Sequence, residues 1–299
     1  MSAKGEKPQI ERIKGAKSFY GDEKDVQDLD GHGTQVAGIV LRLAPRAELY
    51  IARICEGDAN YGLPEANRQL ANGKRRVVNP RPEIVAEAIQ WAIDQQVDII
   101  NMSFGFDQFD REVDEMLESA RAKEILVFAA MSNAGTHKEA AWPARSSEDA
   151  IGIHSCIDKG TKTSDFTPLH VHGNQNFMTV GEQIMTHWPT RKGGGFRNAQ
   201  GTSIATPVAA SIAALILAFV NQSRCKNDRE EYQKRVKVRD LWKNGGMIKL
   251  LQEISKPVGD YRWIDPRLLW SAYPERYEEQ TADSRRNDAW RRICKALRK

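Results

Sequence analysis

The chain has 299 residues, 40% of them hydrophobic, with 44 Lys and Arg against 40 Asp and Glu and a mean hydropathy of −0.57. That is enough apolar material to bury one large core, and the lack of repeats or low-complexity stretches sets fibrous and solenoid classes aside. No run of eighteen consecutive apolar residues is present, which argues against a helical membrane span. Four cysteines, Cys55, Cys156, Cys225 and Cys294, are scattered with neither disulfide-framework nor metal-ligand spacing, and the start MSAKGEKPQIERIKG carries no apolar leader. A reducing, cytoplasmic location is therefore expected, and no motif implies a cofactor.

In chain order, the first informative stretch is DLDGHGTQVAG at residues 28–38. It places His32 at the start of a helix whose apolar side is expected to carry Val36, Ile39, Val40 and Leu43. A histidine there is an ordinary capping or surface residue as readily as a catalytic one. Residues 47–54 (AELYIARI) read as a short strand, and Pro82 to Gln95 as an amphipathic helix with Ile84, Val85, Ala88, Ile89, Ala92 and Ile93 inward. A strand over Val97 to Phe104, a helix over Arg111 to Ala122 burying Val113, Met116 and Leu117, and a strand over Ile125 to Ala130 complete the alternation. This order predicts an α/β fold: a doubly wound, mostly parallel sheet with right-handed crossovers and helices on both faces. Ligands in such sheets gather at the carboxyl ends of the strands, where Ser103, Phe104, Gly105 and Asn133 fall.

Asn133 lies at the tip of FAAMSNAG, residues 128–135, and alone reads as a turn former. Residues 201–207, GTSIATP, open the apolar run Val208 to Val220, a buried helix. A helix start leaves unpaired N–H groups and a positive dipole end beside Ser203, which suits a nucleophile whose reaction develops an oxyanion. The same serine also fits the plain role of an N-cap. Further on, residues 224–299 hold 20 Lys and Arg against 12 Asp and Glu, but the opposite charges are interleaved, which reads as a solvated helical face rather than a nucleic-acid surface. Met247 to Ile254 and Tyr261 to Trp270 carry enough apolar residues to dock on the domain. After Pro274 the chain is strongly charged and ends in a helix over Asn287 to Leu297, so residues 1–274 are expected as the main domain and 275–299 as a charged helical tail.

The order GHGT, then a strand ending in S-N-x-G, then GTSxAxP resembles the subtilisin-like serine proteases, the subtilases. The motif is neither the G-x-S-x-G elbow of α/β-hydrolases nor S-x-x-K, since Ile204, Ala205 and Thr206 follow Ser203. The resemblance implies a serine endopeptidase with Ser203 as nucleophile, His32 as general base and Asn133 as oxyanion donor. It further implies that Ser103, Phe104 and Gly105 form one wall of the primary specificity pocket and pair with extended substrate, with Ser132, Asn133 and Ala134 as the other wall. The partner it implies is a polypeptide substrate, with no nucleic acid or membrane and with room for further domains in a longer chain. AWPAR, residues 141–145, matches the family's aromatic-Pro segment, so a cis Trp142-Pro143 bond is expected.

Two departures from the family stand out. Its triad aspartate precedes the histidine by roughly thirty residues, which falls at or before Met1, and no D-[ST]-G follows an apolar strand upstream. Asp22, Asp25, Asp28 and Asp30 lie in a polar loop, so no catalytic acid is assigned. The expectation is a subtilisin-like sheet lacking its first central strand, in a chain truncated at its amino end, with an inactive binding or regulatory module as the alternative to an active peptidase. The helix after HGT also runs straight into Ala44-Pro45, without the loop that coordinates calcium in secreted subtilisins, so no metal site of that kind is expected.

Overall fold

In the computed structural model, which describes residues 8–56, 80–222, 237–270 and 282–298, a short 3-10 turn (Gln9–Arg12) leads into β1 (Ile13–Ser18). Next come α1 (His32–Leu43) and β2 (Leu49–Arg53), and β1 and β2 pair in parallel. The alternation continues through α2 (Pro82–Asp94), β3 (Ile99–Met102), α3 (Arg111–Ala122), β4 (Leu126–Ala130) and β5 (Ile151–Ile157). Strand β6 (Lys162–Thr163) pairs antiparallel with β5, β7 (Phe177–Val180) runs parallel to it, and β8 (Ile184–His187) with β9 (Phe196–Ala199) makes a separate antiparallel hairpin. The rest is α4 (Thr202–Asn221), α5 (Asn244–Glu253), the β10 (Ser255–Val258) and β11 (Tyr261–Ile264) hairpin, α6 (Arg267–Trp270) and α7 (Ala282–Arg298).

The main sheet runs β10-β11-β7-β5-β4-β3, parallel from β11 to β3. Its strand β4, LVFAA, which lies between β5 and β3, is buried along its whole length, as a strand covered on both faces must be. One face packs on α2 and α3 through Val85, Ile89, Val113 and Leu117. The other packs on α4, whose Ala205, Ala209 and Ala213 let its backbone approach the strands closely, with α5 and α7 behind it. Met247, Leu250, Leu251 and Ile254 are all buried there, so the segment expected to dock does so.

The sheet is split. β1 and β2 stand as a pair of their own, and among the described residues no strand joins β2 to β3. Helix α2 bridges the two parts: the Trp91 ring meets Phe19 and Tyr50 edge-on at 5.9 and 6.0 Å, while Ile54, just past β2, shares a cluster with Ile93 and Ile100.

Two elements sit differently from the sequence reading. Helix α1 buries Gln35, Gly38, Ile39 and Leu41 and leaves Leu43 40% exposed, so its inward face is rotated from the expected Val36–Ile39–Val40–Leu43 stripe. The reason is a close crossing with β8: a β-carbon on Gly38 would lie 2.7 Å from His187 Nδ1, and Thr186 Oγ1 donates to Gln35 O at 2.9 Å. The last helix begins at Ala282 rather than Asn287, and Ala289, Trp290, Ile293 and Ala296 enter the same core as α4, with the Trp290 ring 5.7 Å from Phe219. Its charges are on the outside and its apolar stripe is on the domain. Residues 271–281, Cys225 and the charged run with Asp228, Glu230 and Glu231 lie outside the described residues.

The link between β7 and the start of α4 is Gly181. Its N–H donates to Cys156 O at 3.1 Å and its carbonyl accepts from Gly201 N–H at 2.9 Å. A β-carbon there would collide with Ser155 Oγ and lie 2.7 Å from Gly201 O and 3.0 Å from Ala205 Cβ. Gly181→Ala is therefore expected to destabilise the fold by about 1–3 kcal/mol, read as a lower urea midpoint at unchanged slope.

His154, on β5, is fully buried, its ring edge-on to Tyr261 at 4.9 Å and its Nε2 3.3 Å from Asn176 Oδ1. Burial holds its pKa down to about 4 against an ordinary 6.5. Between those values the unfolded chain binds a proton that the fold rejects, so stability falls as pH drops through the window, by up to about 3 kcal/mol. Urea unfolding at pH 7 and pH 4.5 should show a smaller acid loss for His154→Leu than for the parent; equal losses would contradict it.

Candidate active site

The first turn of α4 is where two of the sequence candidates, Ser203 and Asn133, meet. Ser203 is the second residue of the helix, not its N-cap; that position belongs to Gly201, with φ +136° and no side chain to cap with. The capping acceptor comes from far along the chain. Asn133 Oδ1 accepts the Thr202 N–H at 2.7 Å and the Thr202 hydroxyl at 3.1 Å, which turns Nδ2 the other way. A β-carbon on Gly201 would lie 2.9 Å from Asn133 Nδ2 and 3.1 Å from Ser203 Oγ, so these two polar atoms flank one small space that only glycine leaves open. The Ile204 and Ala205 N–H groups bond to Gly201 O, whereas the Ser203 N–H has no acceptor among the described residues. An unused donor therefore stands at the positive end of a 20-residue helix, beside a serine hydroxyl and an amide N–H₂.

Ser132, which precedes Asn133, has φ +116°, a strained value for a residue with a side chain. It is held by three bonds: its N–H donates to Thr202 Oγ1 at 3.2 Å, its carbonyl accepts from the Thr202 hydroxyl at 3.1 Å and its Oγ accepts from Ala134 N–H at 3.2 Å. Across from it, the segment after β3 is laced to the segment after β4. Phe106 and Trp142 exchange backbone bonds of 2.7 and 2.9 Å, and Ala141 N–H donates to Met131 O at 2.7 Å. Gly105 fits between them because a β-carbon would lie 2.7 Å from Ala141 Cβ. Ser103 is buried and accepts from Asn101 Nδ2 at 2.9 Å, and Phe104 is half-buried in the cluster under α2 and α3. The Trp142-Pro143 bond is cis, as expected.

His32 opens α1, and the loop ahead of it is braced by carboxylates. Asp28 accepts four bonds: from Asp30 N–H (3.1 Å), Gly31 N–H (2.7 Å), Thr34 N–H (2.7 Å) and Thr34 Oγ1–H (2.7 Å). Asp30 Oδ1 accepts the His32 backbone N–H at 3.2 Å. Burial pushes the Asp30 carboxyl above its usual range, against the pull of His32 beside it. Lys192 Nζ ties the loop to the β8–β9 hairpin through Leu29 O (2.9 Å) and Asp30 O (3.3 Å), and a β-carbon on Gly31 would collide with the Trp188 ring. The helices bearing His32 and Ser203 adjoin, with Ile39, Ala199 and Ile204 forming one buried cluster between them.

Three contributors escaped the sequence reading. Thr202 stood inside the quoted motif without a role, Asp28 was read only as part of a polar loop, and Gly181 was not singled out. Only Thr202 carried a signal, its place next to the serine. Asp28→Ala is expected to cost about 2–4 kcal/mol, since it orphans backbone donors at the start of α1 that a carboxylate now satisfies; chemical denaturation checks it.

With this geometry in hand, the likeness to known proteins is specific. The profile of the Subtilase family matches residues 2–244. The chain is 40% identical to the subtilisin-like protease het-Q2 of Podospora anserina over 96% of its own length and 80% of that protein's. It is 28% identical to alkaline elastase YaB of Bacillus sp. (strain YaB), over 69% of this chain but only half of that protein. Among solved structures, the protease domain of PatA superposes with a TM-score of 0.61 at 21% identity, covering 87% of this chain and 88% of that one, a likeness of fold. The chain belongs to the subtilase family of serine peptidases.

Proposed function

We propose that the chain is a serine endopeptidase in which Ser203 is the nucleophile, His32 the general base, and Asn133 Nδ2 with the Ser203 N–H the oxyanion donors. The observation that carries this reading is the grouping of Ser203 Oγ, Asn133 Nδ2 and an unused helix N–H around the space beside Gly201. A peptide carbonyl carbon approached by Ser203 Oγ would direct its oxygen at those donors, which gain strength as negative charge develops. His32 takes the hydroxyl proton as the Oγ–C bond forms and returns it to the leaving amine as the C–N bond breaks. Water, deprotonated by the same imidazole, then releases the acyl group. Ser103 to Gly105 on one side and Ser132 to Ala134 on the other are the two walls between which the substrate would lie.

A second reading, an inactive peptide-binding or regulatory module, has one observation in its favour. Among the described residues no strand joins β2 to β3, as expected of a sheet that lacks a central strand. Steady-state hydrolysis of peptide substrates by the full chain separates the two. The first reading expects turnover that Ser203→Ala and His32→Ala abolish and that Asn133→Ala lowers by about 10²–10³ in kcat with KM little changed. Retained turnover in Ser203→Ala would overturn it, and peptide binding without turnover by the parent would establish the second.

A further inference from the structure

The backbone that leads into His32 can be accounted for bond by bond. Asp28 accepts the N–H groups of Asp30 and Gly31, Asp30 accepts that of His32, and Gly31 O accepts from Gln35 N–H at 3.1 Å. These partners all lie within residues 28–35, so they shape the segment without fixing it to the rest of the fold. Two carbonyls reach outside it: Leu29 O and Asp30 O take their bonds from Lys192 Nζ, at 2.9 and 3.3 Å. Trp188 seats that lysine. It is 4% exposed, its N–H donates to Gly195 O at 3.0 Å across the turn, and its Nε1–H donates to Lys192 O at 3.1 Å. The Arg197 guanidinium stands 4.3 Å and Lys192 Nζ 5.7 Å from the centre of its rings, and a β-carbon on Gly31 would lie 2.5 Å from two ring carbons. The same hairpin continues through Ala199, the last residue of β9, to Gly201 and Ser203.

We infer that Lys192, seated by Trp188, is a positioning residue for His32: its ammonium group fastens the two carbonyls ahead of the helix start to the strand pair that runs on into Ser203, so base and nucleophile are referenced to one hairpin. The inference rests on the general-base role proposed for His32. A base has to stand within hydrogen-bond reach of the proton it takes, and a misplacement of about 1 Å costs on the order of 10²-fold in rate. An ammonium group suits the task because one compact charge carries three donors, and bonds from it to carbonyls are stronger than neutral ones. Lys192 is half-buried and gives up side-chain freedom to keep its amine on these two oxygens, which a lysine serving only solubility does not do. It acts through the backbone before His32, not on the substrate. The hairpin also holds the next turn, through the Thr186 hydroxyl on Gln35 O.

The test compares Lys192→Met with Lys192→Arg in the full chain. Lys192→Met keeps the apolar stem and loses the ammonium group, and is expected to lower kcat by about 10-fold with KM little changed, as loss of alignment does. Lys192→Arg keeps a cationic donor for the two carbonyls and should hold kcat within about threefold of the parent. An unchanged kcat in Lys192→Met, a loss confined to KM, or an equal loss of kcat in both variants would overturn the inference. Histidine side-chain NMR gives a readout that needs no turnover. The His32 ring signals, assigned by their disappearance in His32→Ala, should broaden or split in Lys192→Met, as those of a ring sampling several positions do, and stay single and sharp in Lys192→Arg. A single, sharp His32 ring signal in Lys192→Met would refute the positioning role. Absence of turnover in the parent would count against the proposed peptidase and leave the ring spectrum to decide the role of Lys192.

Discussion

The start of α4 rests on backbone, and the site follows from that contact. Gly181 and Gly201 let the turn before Ser203 lie directly on the end of β7, with one backbone bond between them and no room for a β-carbon at either. Thr179 Oγ1 holds the next turn of the helix through Ala205 O at 2.7 Å. A helix seated this closely needs small residues along its inner face, and the alanines at 205, 209 and 213 supply them. The same seat aims the helix N-terminus at the carboxyl end of the sheet, where β4 delivers Asn133.

Hydrogen-bond accounting at that end explains how the capping of α4 leaves donors open beside Ser203. A helix must satisfy its first N–H groups or expose them. Here one goes to Asn133 Oδ1, two return to Gly201 O, and the Ser203 N–H is left over. A local serine or aspartate at the N-cap would have engaged that donor and filled the space. Capping from 69 residues away leaves the space open and turns the other half of the asparagine amide toward it. Glycine at the N-cap is thus a requirement of the arrangement.

Much of the fold was legible because it depends on local pattern. The helix over Arg111 to Ala122 has the boundaries read from the sequence, and the apolar run ending at Ala130 is the fully buried strand β4. What was not legible depends on partners distant in sequence. The inward face of α1 is set by Gly38 meeting a hairpin some 150 residues later, and the apolar period alone selects a neighbouring stripe. The last helix looked like a charged tail because Arg and Lys dominate its composition, while four residues at helical spacing decide its docking. Three short motifs singled out His32, Asn133 and Ser203 as candidates, but the residues bonded around them required the folded chain. Asp28 reaches six residues ahead to Thr34, and Thr202 reaches back to Ser132 and Asn133.

The central claim is that this seat makes one serine out of the whole chain a nucleophile. Treatment of the folded protein with a fluorophosphonate, followed by peptide mapping, tests it most directly, because the reagent needs both an activated hydroxyl and donors for the developing oxyanion. The account predicts a single adduct on Ser203, absent after Ser203→Ala and slowed in Asn133→Ala. An adduct on another serine, or labelling of the folded and the urea-unfolded chain to the same extent, would contradict it.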